Sequence, residues 1–435
     1  MTFYELYFCL ENTLYGFVLP FVLLLGGAYL LFRLGAFPSR HPKRTARLFV
    51  KKEKDGASPV KAMTMALAGT LGVGNISGVA LAIASGGAGA LFWMWVAALF
   101  SMILKYAEVT LAMRFRADGG SAMAYMAGGL KGRNGRRIAA VFAVLCLFAA
   151  FTVGGLVQAN AIAEALSDSV SASPLLVGVL LSLVTAAVIF GGAKKISDAT
   201  VLLVPPVTLL YILMSLILIL KNANGLPQVF SDIIGGAFDF RSAGGGVFGF
   251  LFSRAVRFGT TRGLLSNEAG CGTAPMAHAT SGSDTPAKQG LFGIFEVFVD
   301  TIVLCSLTGI GILLAAPEMS SGGGIRIVTA AFSTVFGDLS PFLVSVSVVV
   351  FALATVFCWA YYGETALTWL TKRKKAQLVY RILFCLSLTL GAILAVEAVF
   401  SSVDLVLCFM TVLNVAVLLR LSPLVREETE KAGLL

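Results

Sequence analysis

The feature that most constrains this chain is a succession of long apolar runs. They cover residues 14–36, 62–87, 90–113, 138–166, 174–193, 199–221, 245–270, 288–316, 341–368, 378–398 and 403–421. A helix needs roughly 20 apolar residues to cross a bilayer, and most of these runs supply them without interruption. Strands of a membrane barrel would instead alternate over about 10 residues. The runs predict an all-α polytopic membrane protein of about 11 spans. Residues 325–336 are amphipathic and too short to span, so they read as a surface helix.

Composition excludes the other classes. Of the 435 residues 57% are hydrophobic and 13% charged, and mean hydropathy is +0.88. A soluble chain carries about 25% charged residues, so too few remain here to cover a water-facing surface. A soluble enzyme, a secreted disulfide scaffold and a disordered chain are all excluded. None of the seven cysteines forms a CxxC pair, and only His41 and His278 are present, which gives a metal site other than sodium little support. The cysteines read as small buried hydrophobes.

The net charge of +10 reads as topology rather than as a nucleic-acid surface. With the N-terminus outside and the C-terminus cytoplasmic, all but Lys105, Lys221, Arg241 and Arg326 of the 33 Lys and Arg fall in inner loops. That assignment puts Arg254, Arg257 and Arg262 inside as well. Residues 1–13 contain Glu5 and Glu11 but no basic residue, so the first run reads as a retained helix, not a cleaved signal.

Glycine clusters mark two interruptions. The run 62–87 contains Gly69, Gly72, Gly74 and Gly78, and 245–270 opens on Gly244, Gly245, Gly246 and Gly249. Each glycine costs a helix about 1 kcal/mol relative to alanine, so these stretches predict unwound backbone. Such backbone is tolerated at membrane depth only where protein or a wet cavity satisfies it. Its freed N–H groups suit a carboxylate, and its freed carbonyls suit a small cation. Setting the first helix aside leaves five runs and then five more, each set opening on an interrupted one. An odd number per half inverts the second half, and paired interruptions in inverted halves point to a transporter's binding site. The division is 1–61, an extra helix with a basic loop; 62–221, the first repeat; 222–243, an external connection; 244–421, the second repeat; and 422–435, a tail. The alternative is that the glycines only let helices pack closely.

The string Gly69-Thr70-Leu71-Gly72-Val73-Gly74-Asn75-Ile76-Ser77-Gly78 resembles the alanine or glycine:cation symporters, the sodium:alanine symporter family of the amino acid–polyamine–organocation superfamily. The likeness continues through residues 86–95, Lys105-Tyr106-Ala107-Glu108 and Val157-Gln158-Ala159-Asn160. Its strongest block runs from Gly263 to Gly270 through Ser266-Asn267-Glu268, then Gly272-Thr273-Ala274-Pro275 and Ala277-His278-Ala279; Trp359-Ala360-Tyr361-Tyr362-Gly363-Glu364 closes it. Ala88 and Cys271 depart from the family pattern, which has proline and a small apolar residue there. The resemblance implies a leucine-transporter-like 5+5 inverted repeat with one extra N-terminal helix, in the cell membrane. It implies a secondary active transporter importing alanine or glycine by symport with sodium as coupling ion.

The resemblance also assigns residues. Gly72, Val73, Gly74 and Asn75 would hold the substrate carboxylate with backbone N–H groups and the Asn75 side chain. Gln158 would accept from the ammonium. Thr355 and Trp359, four apart and so on one helix face, would line the pocket, with Trp359 capping the small side chain. Carbonyls of Ala68 and Leu71, with Thr70 beside them and the Thr355 hydroxyl opposite, would hold the cation. Other polar groups were read from their setting. Glu268 beside Arg262 at the cytoplasmic end reads as a gate or structural pair. Glu296 and Asp300, four apart in an apolar run, are functional by default. Lys105 and Glu108, three apart, are as well explained by an in-helix ion pair. Asn160 reads as an interhelical contact. No catalytic arrangement is present, so the chain reads as no enzyme. Open alternatives are a proton-coupled or glutamine- or serine-preferring family member, a passive pore, and a membrane enzyme. The partners are an amino acid and the bilayer, with no nucleic acid; the sequence leaves oligomeric state open.

Overall fold

The computed structural model describes residues 13–50, 58–130, 132–239, 254–283, 285–316, 323–394 and 396–435, and almost every element in them is helical. The helices follow the apolar runs in order. They are α1 Leu19–Arg33, α2 Pro59–Thr70, α3 Ser77–Gly86, α4 Gly89–Arg114, α5 Gly132–Val170, α6 Pro174–Ile189 and α7 Gly192–Lys221. Then come α8 Arg254–Asn267, α9 Ala274–His278, α10 Pro286–Ala315, α11 Ser340–Leu370, α12 Lys374–Ile393 and α13 Val396–Lys431. Among the described residues, eight helical stretches are long and apolar enough to cross a membrane. The interrupted pairs α2–α3 and α8–α9, and the shorter α6, account for the other runs.

Local chemistry sets the ends. Proline opens α2, α6 and α10, where its missing N–H costs nothing and its fixed φ suits a first turn. Gly87, at φ +75°, ends α3 and lets α4 start two residues later. Leu175, Leu176, Leu180 and Leu183 of α6 and Leu383, Leu386 and Leu390 of α12 stay exposed. In water such stripes would be a liability; against lipid tails they are the solvated face.

Packing places the two interrupted helices at the centre, antiparallel to each other. α3 lies against α8, and α2 lies against α9, α7 and α11. α4 and α10 pack on the α8 side, while α1 sits outside against α4 and α13. The surface helix Gly324–Phe336 exists as expected and covers α3, burying Ile325, Ile327, Val328, Ala331 and Phe332. Within the stretch read as a plain connection, helix Leu226–Ala237 packs on α4, and Trp93 Nε1 donates to Ala237 O at 2.9 Å.

Two expectations are corrected here, and one falls outside the described residues. The second interruption was expected at Gly244–Gly249, which lies outside the described residues; the break observed is at 268–273, between α8 and α9. Arg254 packs level with Gly86, at the end of the central pair opposite Pro59, so α8 starts on the far side from the basic loop 33–61. Arg254 therefore does not belong with the inner basic residues, and Arg257 and Arg262 follow it on α8 before the break. The charge bias survives the change. Finally, Lys105 and Glu108 do not pair with each other. Lys105 Nζ meets Glu296 Oε1 at 3.1 Å, while Glu108 Oε1 accepts from Gly272 N at 2.8 Å and Asn414 Nδ2 at 2.6 Å. Tertiary partners, a carboxylate for Lys105 and two neutral N–H donors for Glu108, displace the local i,i+3 contact.

Candidate functional site

The two breaks face each other. α2 ends at Thr70; Leu71 and Gly72 leave helical geometry, Val73–Asn75 make one tight turn, and α3 restarts at Ser77. A Cβ on Gly72 would lie 2.9 Å from Thr355 Oγ1 and 3.0 Å from Gln158 Oε1. One on Gly74 would lie 3.1 Å from the carbonyl oxygen of Leu265 on α8. Only glycine permits this approach, which brings bare backbone of one break against the end of the helix leading to the other.

Between them lies a cavity of about 20 Å³ lined by Gly69, Thr70, Gly72, Val73, Gly74, Gly78, Val153, Val157, Gln158, Leu265, Glu268 and Thr355. That is room for about one water. Seven of the residues singled out from the sequence share this wall: Thr70, Gly72, Val73, Gly74, Gln158, Glu268 and Thr355. Gln158 Oε1 accepts from Val73 N at 3.4 Å, and its Nε2 donates to Val153 O at 3.2 Å. The amide oxygen thus lies against the N–H groups where a carboxylate oxygen would sit, rather than being free to receive an ammonium. Asn160 leaves the site and donates to Gly391 O and Leu394 O, an interhelical contact as expected.

Behind Gly72, Thr355 Oγ1 lies 3.0 Å from Ala68 O, 3.4 Å from Leu71 O and 3.1 Å from Phe351 O. The α2 end thus brings two carbonyls, Ala68 O and Leu71 O, to the hydroxyl, while Phe351 O is Thr355's own i−4 carbonyl within α11. Hard oxygen donors of this kind suit a small cation. Thr70 Oγ1 turns back to Leu67 O at 3.2 Å.

Asn75 was expected to offer its side chain to the carboxylate. Its Nδ2 is instead committed across the breaks, donating to Asp300 Oδ1 at 2.7 Å, Asp300 O at 3.1 Å and Ser266 Oγ at 2.9 Å. Its Oδ1 is buried with no partner among the described residues. Ser266 and Thr301 hydroxyls donate to Asp300 Oδ2 at 2.6 and 2.8 Å, and Asn267 Nδ2 donates to Thr301 Oγ1 at 3.0 Å. Asp300 and Thr301 reach inward from a π-helical stretch, Phe298–Cys305, in α10. Asn75 therefore fixes the shape of the first break. Ser266, Asn267 and Thr301 carried no assigned role beforehand; three polar residues in a row at Ser266–Glu268 were the available signal.

Glu268 is not at a cytoplasmic end beside Arg262. It sits in the second break, buried, at φ +50°, in the left-handed region that side-chain-bearing residues rarely adopt. Trp359 Nε1 donates to its Oε1 at 3.0 Å and Thr273 Oγ1 to its Oε2 at 2.8 Å. Arg262 has the Asp404 carboxylate at 3.9 Å. Trp359 is fully buried and stands behind Glu268, outside the cavity wall. It packs so closely on Gly154, in the π-helical stretch Ala150–Leu156 of α5, that any side chain there would overlap its Cβ.

The rest of the second break is held by buried polar side chains. Gly270 and Gly272 take φ +87° and +79°. Asn414 Nδ2 donates to Gly270 O at 2.9 Å as well as to Glu108, and Asn414 Oδ1 accepts from the Tyr125 hydroxyl at 2.5 Å. Glu296 holds Lys105 on one oxygen and His278 Nε2 on the other at 2.8 Å; Gln289 Nε2 meets His278 Nδ1 at 2.8 Å. Glu296 and Asp300, grouped by their spacing, therefore serve different neighbourhoods.

Comparisons with known proteins agree with the fold. A sequence profile of the sodium:alanine symporter family matches residues 2–431. The chain is 37% identical to the sodium/alanine symporter AgcS of Methanococcus maripaludis, over 97% of this chain and 96% of the relative. It is 34% identical to a protein of Bacillus subtilis described as "Probable sodium/glutamine symporter GlnT", over 95% and 87% of the two chains. Among solved structures it is similar to MhsT in complex with L-phenylalanine, with TM-score 0.56 and 16% identity, covering 88% of this chain and all of that one. At that identity the likeness is one of fold, the leucine-transporter-like inverted repeat.

Proposed function

The chain belongs to the sodium:alanine symporter family, so it is a multi-pass membrane transporter and not an enzyme; from that premise we propose that it imports a small neutral amino acid, alanine or glycine, by symport with sodium. The reading takes residues 62–221 and 244–421 as inverted halves that rock around the cavity between the breaks, with the N-terminus outside and the C-terminus cytoplasmic. Its main support is the cavity of about 20 Å³ whose wall includes Gly72, Val73 and Gly74 of the first break, with Val73 N turned to Gln158 Oε1. The α3 N-terminus adds a positive dipole end there, which favours a carboxylate. In this reading the substrate carboxylate displaces the Gln158 oxygen from Val73 N.

Sodium is assigned to the Ala68, Leu71 and Thr355 oxygens, with Thr70 beside them. In this reading ion binding draws the end of α2 against α11 and settles the neighbouring Gly72 backbone, so ion and substrate favour the same conformation. The test is uptake of labelled alanine into proteoliposomes carrying an inward sodium gradient. Accumulation is expected to vanish when choline replaces sodium. Undiminished uptake in choline, with the proton gradient also collapsed, would refute the coupling.

A further inference from the structure

The cavity wall contains one ionisable residue among those described, Glu268. Everything else around it is backbone, an amide, a hydroxyl or an alkyl group. An α-amino acid enters as a zwitterion, so a site built only from the first break would leave its ammonium uncompensated in a medium of low dielectric. Such a charge is strongly disfavoured unless paired. The Gln158 oxygen is on the carboxylate side, against Val73 N. That leaves the far wall, where α8 ends with its negative dipole end and Glu268 follows.

We propose that Glu268 is the counter-charge for the substrate's α-ammonium and thereby sets the requirement for an amino acid over other small carboxylates. This rests on the transporter reading above. Three observations carry it. Both carboxylate oxygens are held by neutral donors, Trp359 and Thr273, and among the described residues no cation lies within ion-pair distance. Lys105, the nearest base named in this region, meets Glu296 instead. The strained, left-handed backbone at Glu268 falls at the point where the residue meets the cavity. Trp359 behind it then acts through Glu268, fixing the carboxylate rather than touching substrate.

The test compares L-alanine with L-lactate, which keeps the carboxylate and methyl group and replaces the ammonium by a hydroxyl. Binding is measured on the full-length protein in lipid nanodiscs at saturating sodium. The wild type is expected to prefer alanine by at least about 30-fold, the worth of a charge-assisted hydrogen bond. Glu268→Gln keeps the size and can still accept from Trp359. It is expected to lose most of that preference, weakening alanine while lactate changes less than about threefold. Equal weakening of both ligands would mark Glu268 as merely structural and overturn the proposal, as would unchanged alanine binding. Should Glu268→Gln not fold, the wild-type ratio decides alone: alanine and lactate bound equally well would sink it. A wild type that binds no amino acid overturns the proposed function itself, and this inference with it.

Discussion

The two breaks do the same geometric thing by opposite means. The first, at 71–76, contains no charged residue and exposes backbone: Gly72 and Gly74 leave room, and Val73 offers its N–H. The second, at 268–273, is made of groups that must be held: a left-handed Glu268, two glycines at positive φ, and carbonyl and N–H groups met by Asn414 and Glu108. Behind it stand the buried Lys105–Glu296 pair and His278, whose Nε2 meets Glu296. On the proposed reading ligand contact falls mainly to the first break, the second supplying one charge; the second is otherwise fixed to the scaffold of α4, α10 and α13.

The largest effect should come from unsettling that scaffold. Lys105→Met leaves the Glu296 carboxylate buried without its ammonium partner, which costs about 3–5 kcal/mol. Thermal unfolding of the purified protein should report this loss, and Lys105→Met with Glu296→Gln should recover much of it. The contrast breaks if the single variant is as stable as wild type.

Next comes Gly72→Ala, which attacks the first break without touching the scaffold. The backbone at Gly72, φ −120°, does not itself demand glycine, but the added methyl crowds Thr355 Oγ1, so stability should fall by about 1–3 kcal/mol. The added methyl projects toward Thr355 and Gln158 at the edge of a cavity with room for about one water. Alanine binding should weaken by at least about 100-fold. Wild-type affinity in that variant would mean that the first break is not the cradle.

Asn75→Ala joins the two regions, because its amide donates to Ser266 and Asp300 on the far side. Removing it leaves Asp300 short of a donor, a loss of about 1–3 kcal/mol divided between stability and binding. The sharp measurement is whether alanine affinity drops more than melting temperature. An equal fall in both makes Asn75 a structural strut only.

The same contrast explains what the sequence disclosed. The first break is local chemistry, since clustered glycines weaken a helix wherever they stand, so its position could be read directly. The glycines at Gly244–Gly249 that suggested the second interruption lie outside the described residues, whereas the observed break depends on a conformation of Glu268 that tertiary partners enforce. Thr355 and the Ala68 and Leu71 carbonyls were found through family resemblance, and the fold brings them together. The partner of Lys105 was not legible, because Glu296 is 191 residues away and nearby Glu108 satisfied the helical spacing rule. The placement of Arg254 failed for a related reason: counting basic residues treats a run as one rod and cannot tell which end of a broken helix it counts.

The smallest effect expected concerns the ion. Thr355→Val keeps the shape of the side chain and removes the hydroxyl that meets Ala68 O and Leu71 O. Burial around it is otherwise unchanged, and no charge is lost, so folding should be nearly unaffected. If those oxygens hold sodium, one ligand of several disappears, and the sodium concentration for half-maximal uptake should rise about tenfold, close to 1.4 kcal/mol. Alanine affinity at saturating sodium should change little, because the first-break N–H groups are intact. That split separates the ion's contacts from the substrate's within a single wall of the cavity. A rise in alanine Kd without any shift in sodium dependence would move Thr355 from the ion to the substrate and reassign the carbonyl cluster behind Gly72.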